Sequence, residues 1–435
     1  MIVRRPLVVV AAVFVALAPC PSARAGVVAV KAGLLIDGTG AAPKKNPVVV
    51  VDDGRIVSVA TEVPAGATVL DLGSRTLLPG FIDCHVHLAG RVIGEGDNWD
   101  DAAVRDLPQE DAIRGVRNAK ATLEAGFTTV RNVGASDFSD VALRNMILAN
   151  VVPGPRIVAA GNSIGITGGH CDTNGYRPEL LEGSPENGIA DGPDEIVKAV
   201  RYQVKHGADV IKTCATGGVL SEGDAVGVQQ YDDDELKVLV REAHLTGRKV
   251  AAHAHGAEGI KAALRAGVDS IEHGSMSDDE AIALFKSKGA FLVPTLMAQE
   301  SVVQLASSGV LKGQRAEKAR FIAPLARQNI KKAIAAGVKI ALGTDSGVFP
   351  HGRNAHEFEL MVELGMKPMD AIVAGTKNAA ELLGLDKVLG TVEAGKIADL
   401  VAVDGNPLDD VKRLMTPAFV MHQGTVVTAP DKLVR

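Results

Sequence analysis

The sequence predicts an α/β protein: a (β/α)8 barrel of TIM type with a small β-sandwich domain built from both termini. Three observations lead there. Between residues 78 and 384, short β-branched runs alternate with helical stretches. The flanks, 26–77 and 385–435, read instead as hairpins, with Gly and Asp clustered between valine-rich runs. The chain has 435 residues, enough for one large barrel plus an accessory unit.

Residues 1–25 form a separate object. A basic start at Arg4 and Arg5 precedes an apolar run from Leu7 to Ala18 and a small-residue end, Ala23-Arg24-Ala25. That is the layout of a cleavable export signal, too short to span a bilayer, and it directs the protein to the periplasm or the medium. Its removal takes the formal charge from −6 to −9, because three arginines and no acid leave. Cys20 ends a weak lipoprotein-like LAPC, where Pro19 occupies a position that calls for a small residue. The remaining cysteines, Cys84, Cys171 and Cys214, are odd in number and scattered, so no disulfide framework is expected.

Hydrophobic residues make up 46% and charged residues 23%, as in ordinary globular proteins. The acidic balance and the lack of a basic run exclude a nucleic-acid partner, and stable membrane association is not expected. A homo-oligomer remains compatible. With aromatics at 3%, the core must be built from Val, Ile, Leu and Ala.

Eight runs supply the barrel strands: FIDCHVHL (81–88), TTVRNV (128–133), RIVAAG (156–161), DVIKTCAT (209–216), KVAAHA (249–254), DSIEHG (269–274), FLVPTL (291–296) and KIALGTD (339–345). Between them, PDEIVKAVRYQVKHG and DDDELKVLVREAHLTG show a 3.6-residue period, an acidic first turn and a terminal Gly. Active sites of such barrels lie at the carboxyl ends of the strands.

The chemistry-bearing residues stand at those ends. Strand 1 ends in His85 and His87, whose i, i+2 spacing puts both imidazoles on one face. Strand 4 carries Lys212, strand 5 His253 and His255, strand 6 His273, and strand 8 Asp345. Singly, each has an ordinary structural explanation; together they form a donor set suited to divalent metals, zinc foremost. Lys212 fits such a set as a carbamate, formed when a neutral, buried amine adds CO₂.

FIDCHVHL, GADVIKTCATGG, VAAHAHG, SIEHG, GTDSG, NAAELLG and GKIADLVAVD together resemble the amidohydrolase superfamily. Within it, the chain is most similar to the imidazolonepropionase-like and Xaa-Pro dipeptidase group of binuclear zinc enzymes. The resemblance implies two zinc ions per chain, with His85, His87 and Asp345 on one, His253 and His273 on the other, and carboxylated Lys212 bridging. His253 is preferred to His255 because the latter drifts into the loop. The resemblance also implies that a metal-activated water attacks the carbonyl and that Asp345 moves its proton to the leaving nitrogen. Tyr231, in GVQQYDDDEL, is the candidate carbonyl donor, or else packs on the helix it precedes. His170 in GITGGHCD and His351 and Arg353 in FPHGRN are candidates for clamping a substrate carboxylate. Relatives of this kind cleave an amide next to a C-terminal carboxylated residue: dipeptides, acyl-amino acids and ochratoxin-type amides. His206, His244, His356 and His422 read as structural or surface residues.

Three alternatives stand beside this reading. A mononuclear cyclic-amide hydrolase or deaminase would lack the lysine, a lactonase or esterase would use the same nucleophile, and a non-catalytic binding protein would have lost a ligand.

Overall fold

The computed structural model describes residues 26–96 and 99–430. The expected export signal, with Cys20, lies outside the described residues. No helix among the described residues is long and apolar enough to cross a membrane.

The central region is parallel α/β. Strands β1 (Phe81–Val86), β2 (Phe127–Asn132) and β3 (Arg156–Ala159) form one parallel sheet. Strands β4 (Val210–Cys214), β5 (Lys249–Ala254), β6 (Ser270–His273) and β7 (Phe291–Val293) form another. Register aligns the strand ends: Cys214 faces His253, His253 faces Glu272, and Ala254 faces His273. Backbone hydrogen bonds also tie the chain after β3 to β4. Ile164 N donates to Lys212 O at 2.8 Å and Cys214 N to Ile164 O at 2.9 Å.

Residues 339–345 are not a continuous strand. Ile340 bridges Leu292 and Ser346 bridges Val86, both in parallel. Between them the chain bends: Gly343 packs against His85 and Val293, and Asp345 sits at φ 60°. Pairing still reaches both neighbours, with Leu292 N donating to Lys339 O at 2.9 Å and Asp345 N to His85 O at 2.7 Å. A Cβ at Gly343 would lie 3.1 Å from the His85 backbone nitrogen. Gly343→Ala should therefore cost about 1–3 kcal/mol, measured by urea unfolding.

The helices follow local chemistry. In Asp233–Leu245, the Asp232 side chain accepts from the amides of Asp234 and Glu235, both at 2.8 Å, while Glu235 returns a contact to the Asp232 amide. Such a box contributes about 1 kcal/mol. Leu236, Leu239, Val240 and Ala243 then make one buried face at i, i+3, i+4 and i+7.

The flanks meet in space. A six-stranded sheet joins three N-terminal strands to three C-terminal ones, and the two halves meet where Thr76–Pro79 runs antiparallel to Leu400–Val403, with Leu78 paired to Val401. A four-stranded sheet holds Val28–Lys31 and Val48–Asp52. Val30, Leu35, Val49, Leu77, Leu400 and Phe419 share one apolar cluster.

Candidate metal centre

The parallel strands aim their polar ends into a cavity of about 370 Å³. His85, His87, Lys212, His253, His273 and Asp345 all line it, joined by His170 and His255. The bend before Asp345 is anchored by Asp83. Its carboxylate accepts from the amides of His85 (3.0 Å) and Thr344 (3.1 Å) and from the Thr344 hydroxyl (2.7 Å).

Hydrogen bonding fixes which imidazole nitrogens are free. Glu272 is fully buried; burial raises its carboxyl, but Arg131 and His85 outweigh that and hold it at about 2. Arg131 Nη2 donates to Glu272 Oε1 at 2.7 Å. A carboxylate only accepts, so the 2.8 Å contact from His85 Nδ1 to Glu272 Oε2 places a proton on Nδ1. The same logic applies to His87, whose Nδ1 meets the Gly134 carbonyl at 3.0 Å. In the neutral rings both Nε2 atoms are bare lone pairs, and they face Asp345 Oδ1 at 3.5 and 3.4 Å. Three acceptors converge with no donor among them.

The second half of the cavity has the same character. His253, His255 and His273 can bring ligand atoms within 4.8 Å of one another, as can His85, His273 and Asp345. His253 Nε2 is buried without a hydrogen-bond partner. His273 Nδ1 is held by Thr295 Oγ1 at 2.7 Å and His255 Nδ1 by Ser275 Oγ at 2.8 Å. Burial pushes the His87 imidazole down to about 4, and those of His253 and His273 well below their usual range. Burial acts against the Asp345 carboxylate, yet positive charge taken up by His85, His87 and His273 around it holds it below its ordinary range, and a bound cation would supply that charge in place of the protons. Neutral imidazoles around an anion, with an orphaned buried nitrogen, fit a divalent cation. Burial also lowers Lys212 to about 8, so a fraction of its amine is neutral near physiological pH.

Strain gathers here as well. His273, Thr295 and Asp345 have φ of 70°, 48° and 60°, a region that non-glycine residues rarely adopt.

The other candidates lie as follows. Tyr231 is buried in the main core, and its hydroxyl donates to the Ala190 carbonyl at 2.8 Å, so it packs rather than faces the cavity. His351 and Arg353 line a neighbouring cavity of about 660 Å³, not the one holding the histidine cluster. His351 Nδ1 is tied to Ser346 Oγ at 2.9 Å. His255, passed over as a loop residue, is buried beside His253 with ring centroids 4.7 Å apart. Glu272 and Arg131 were missed; a charged residue inside each of two β-branched runs was the available signal. Of the histidines read as structural, His244 pairs with Asp269, His422 with Asp399 and His356 with Glu359, while His206 packs on Tyr202.

The cysteines also depart from expectation. Cys171 and Cys214 form a disulfide across 43 residues, and both line the cavity. Cys84 is free and buried. Pairing of Ile164 with β4 brings the two together, which spacing alone does not reveal. The Cys171→Ser variant should lose about 3–4 kcal/mol, read as a lower Tm that a non-chelating reductant reproduces in the parent protein.

The amidohydrolase family profile matches residues 76–428. The chain belongs to the amidohydrolase family. It is 35% identical to ochratoxinase from Aspergillus niger over 441 residues, covering 96% of this chain and 88% of that protein. The crystal structure of A. niger ochratoxinase superimposes with a TM-score of 0.82 at 33% identity, covering 93% of this chain and 96% of that one. A Xaa-Pro dipeptidase with methionine bound in its active site gives a TM-score of 0.88 at 38% identity, covering 92% of this chain and 99% of that one. Imidazolonepropionase from Symbiobacterium thermophilum is more distant, at 25% identity over 80% of this chain and 81% of that protein. The amidohydrolase is thus a hydrolase acting on C–N bonds, with the TIM-barrel frame of its family.

Proposed function

We propose that this amidohydrolase is an exported, binuclear zinc enzyme that cleaves an amide next to a C-terminal carboxylated residue. Dipeptides, acyl-amino acids and ochratoxin-type amides are its substrate class, in keeping with its ochratoxinase and Xaa-Pro dipeptidase relatives. In this reading the strands close into an eight-membered barrel, residues 78–384, and the flanks 26–77 and 385–435 make a separate β unit. A disulfide beside the cavity suits an oxidising compartment and so supports export.

The observation that carries the reading is the meeting of two acceptor-only imidazole nitrogens with Asp345 Oδ1 within 3.5 Å. His85, His87 and Asp345 would hold one ion, His253 and His273 the other, with carboxylated Lys212 between them. When bound, the metal pair supplies a nucleophile at neutral pH and polarises the scissile carbonyl. The protein does the rest. Asp345, kept ionised, accepts a proton at its carboxylate and delivers it to the leaving nitrogen. Val219, Leu220, Val302 and Ile322 give the cavity an apolar wall for the substrate side chain.

Hydrolysis of a small panel of Xaa-Pro, acyl-Phe and Xaa-Leu amides tests the substrate class. Turnover of at least one member is expected. Activity confined to esters or lactones would contradict the amide assignment.

A further inference from the structure

Beside the cavity, one half-buried carboxylate, that of Asp224, controls both ends of His170. The His170 Nδ1 atom lies 2.8 Å from Ser221 Oγ, and Ser221 Oγ donates to Asp224 Oδ1 at 2.7 Å. The His170 backbone amide donates to Gln230 Oε1 at 3.1 Å, and Gln230 Nε2 donates to Asp224 Oδ2 at 3.1 Å. Lys318 completes the arrangement. Its Nζ donates to Asp224 Oδ1 at 2.7 Å and to the carbonyls of Gly218 and Ser221, both at 3.0 Å.

We propose that Asp224 and Ser221, braced by Lys318, are positioning residues that set the orientation and tautomer of His170 over the metal cavity. The proposal rests on the hydrolase reading above. Its logic is a count of protons. Asp224, against a buried ammonium, is an acceptor on both oxygens. Ser221 has one hydroxyl proton and spends it on Asp224, so it turns a lone pair to His170. Nδ1 therefore carries hydrogen, and Nε2 is the nitrogen presented to the cavity that the ring lines.

Packing holds the ring in that pose. The His253 ring stacks on it with centroids 4.1 Å apart. Gly218 approaches so closely that a Cβ there would lie 2.6 Å from His170 Nε2. Lys318 gives a second reason to see a built device. It comes from the helix Gly313–Ala335, remote in sequence, and buries an ammonium ion, which is costly unless fully partnered.

The test combines turnover with a direct view of the ring, using zinc-loaded protein and the best amide of the panel. Ser221→Ala should lower kcat/KM about tenfold at unchanged metal content, and Ser221→Thr should recover most of the loss. In a His170→Ala background, Ser221→Ala should cost nothing further. In ¹⁵N NMR of the imidazoles, His170 should be the Nδ1–H tautomer in the parent protein and lose that signature in Ser221→Ala. An equal loss in both backgrounds, a loss that follows the metal, or an Nε2–H tautomer in the parent protein would overturn the proposal. Parent protein inert on every amide would sink the hydrolase reading instead, while the NMR result still decides this one.

Discussion

Lys212→Ala is expected to lower kcat/KM by more than the about 100-fold that loss of an orienting hydrogen bond costs. The lysine sits on β4 in the wall of the histidine cavity, where a carboxylated side chain would add an anion to Asp345, the one acid among the described residues that line it. Removing it leaves neutral imidazoles with half their compensating charge. Short carboxylates such as acetate should restore part of the activity by occupying the space of the lost side chain. Carboxylation needs the neutral amine, and burial holds that group at about 8. At fixed CO₂, activation of metal-free protein by zinc should therefore quicken as pH rises from 6 through about 8 and level off above that. A flat profile, or full activity in Lys212→Ala, would remove the carbamate from the account.

Glu272→Gln carries the second large effect. Glu272 accepts from Arg131 on one oxygen and from His85 Nδ1 on the other, and both it and Arg131 are buried. The substitution leaves a guanidinium without its counter-charge and offers His85 a side chain that can donate. The expected costs are about 3–5 kcal/mol in stability and 10–100-fold in metal affinity. The pH dependence has a definite sign. Glu272 titrates at about 2 in the folded protein against an ordinary 4.5, so its contribution is complete above 4.5 and fades as pH falls toward 2. Urea unfolding of metal-free protein at pH 7 and pH 3 should show a smaller difference between variant and parent at pH 3.

Much of this site is legible in the chain because barrel strands bring their ends together whatever the loops do. His85, His87, Lys212, His253, His273 and Asp345 each follow a β-branched run, and the fold alone carries them into one cavity. Residues on loops are another matter. FPHGRN follows Asp345 closely, but past Gly347, which packs against His87, the chain leads His351 and Arg353 to a different cavity. Tyr231 precedes a helix in either reading, and only the position of the Ala190 carbonyl decides where its hydroxyl goes. The eighth strand was readable as a β-branched run, yet the bend at Gly343 and Asp345 that aims the carboxylate interrupts its regular pairing. Glu272 and Arg131 sit on β6 and β2, in different sheets, and only their meeting in space shows them as partners.

Metal content of the purified protein, measured by plasma emission, tests the binuclear centre most directly. About two zinc ions per chain are expected, falling to one or fewer in Lys212→Ala. A single ion in the parent protein, unchanged in Lys212→Ala, would contradict the binuclear centre and leave a mononuclear amidohydrolase in its place.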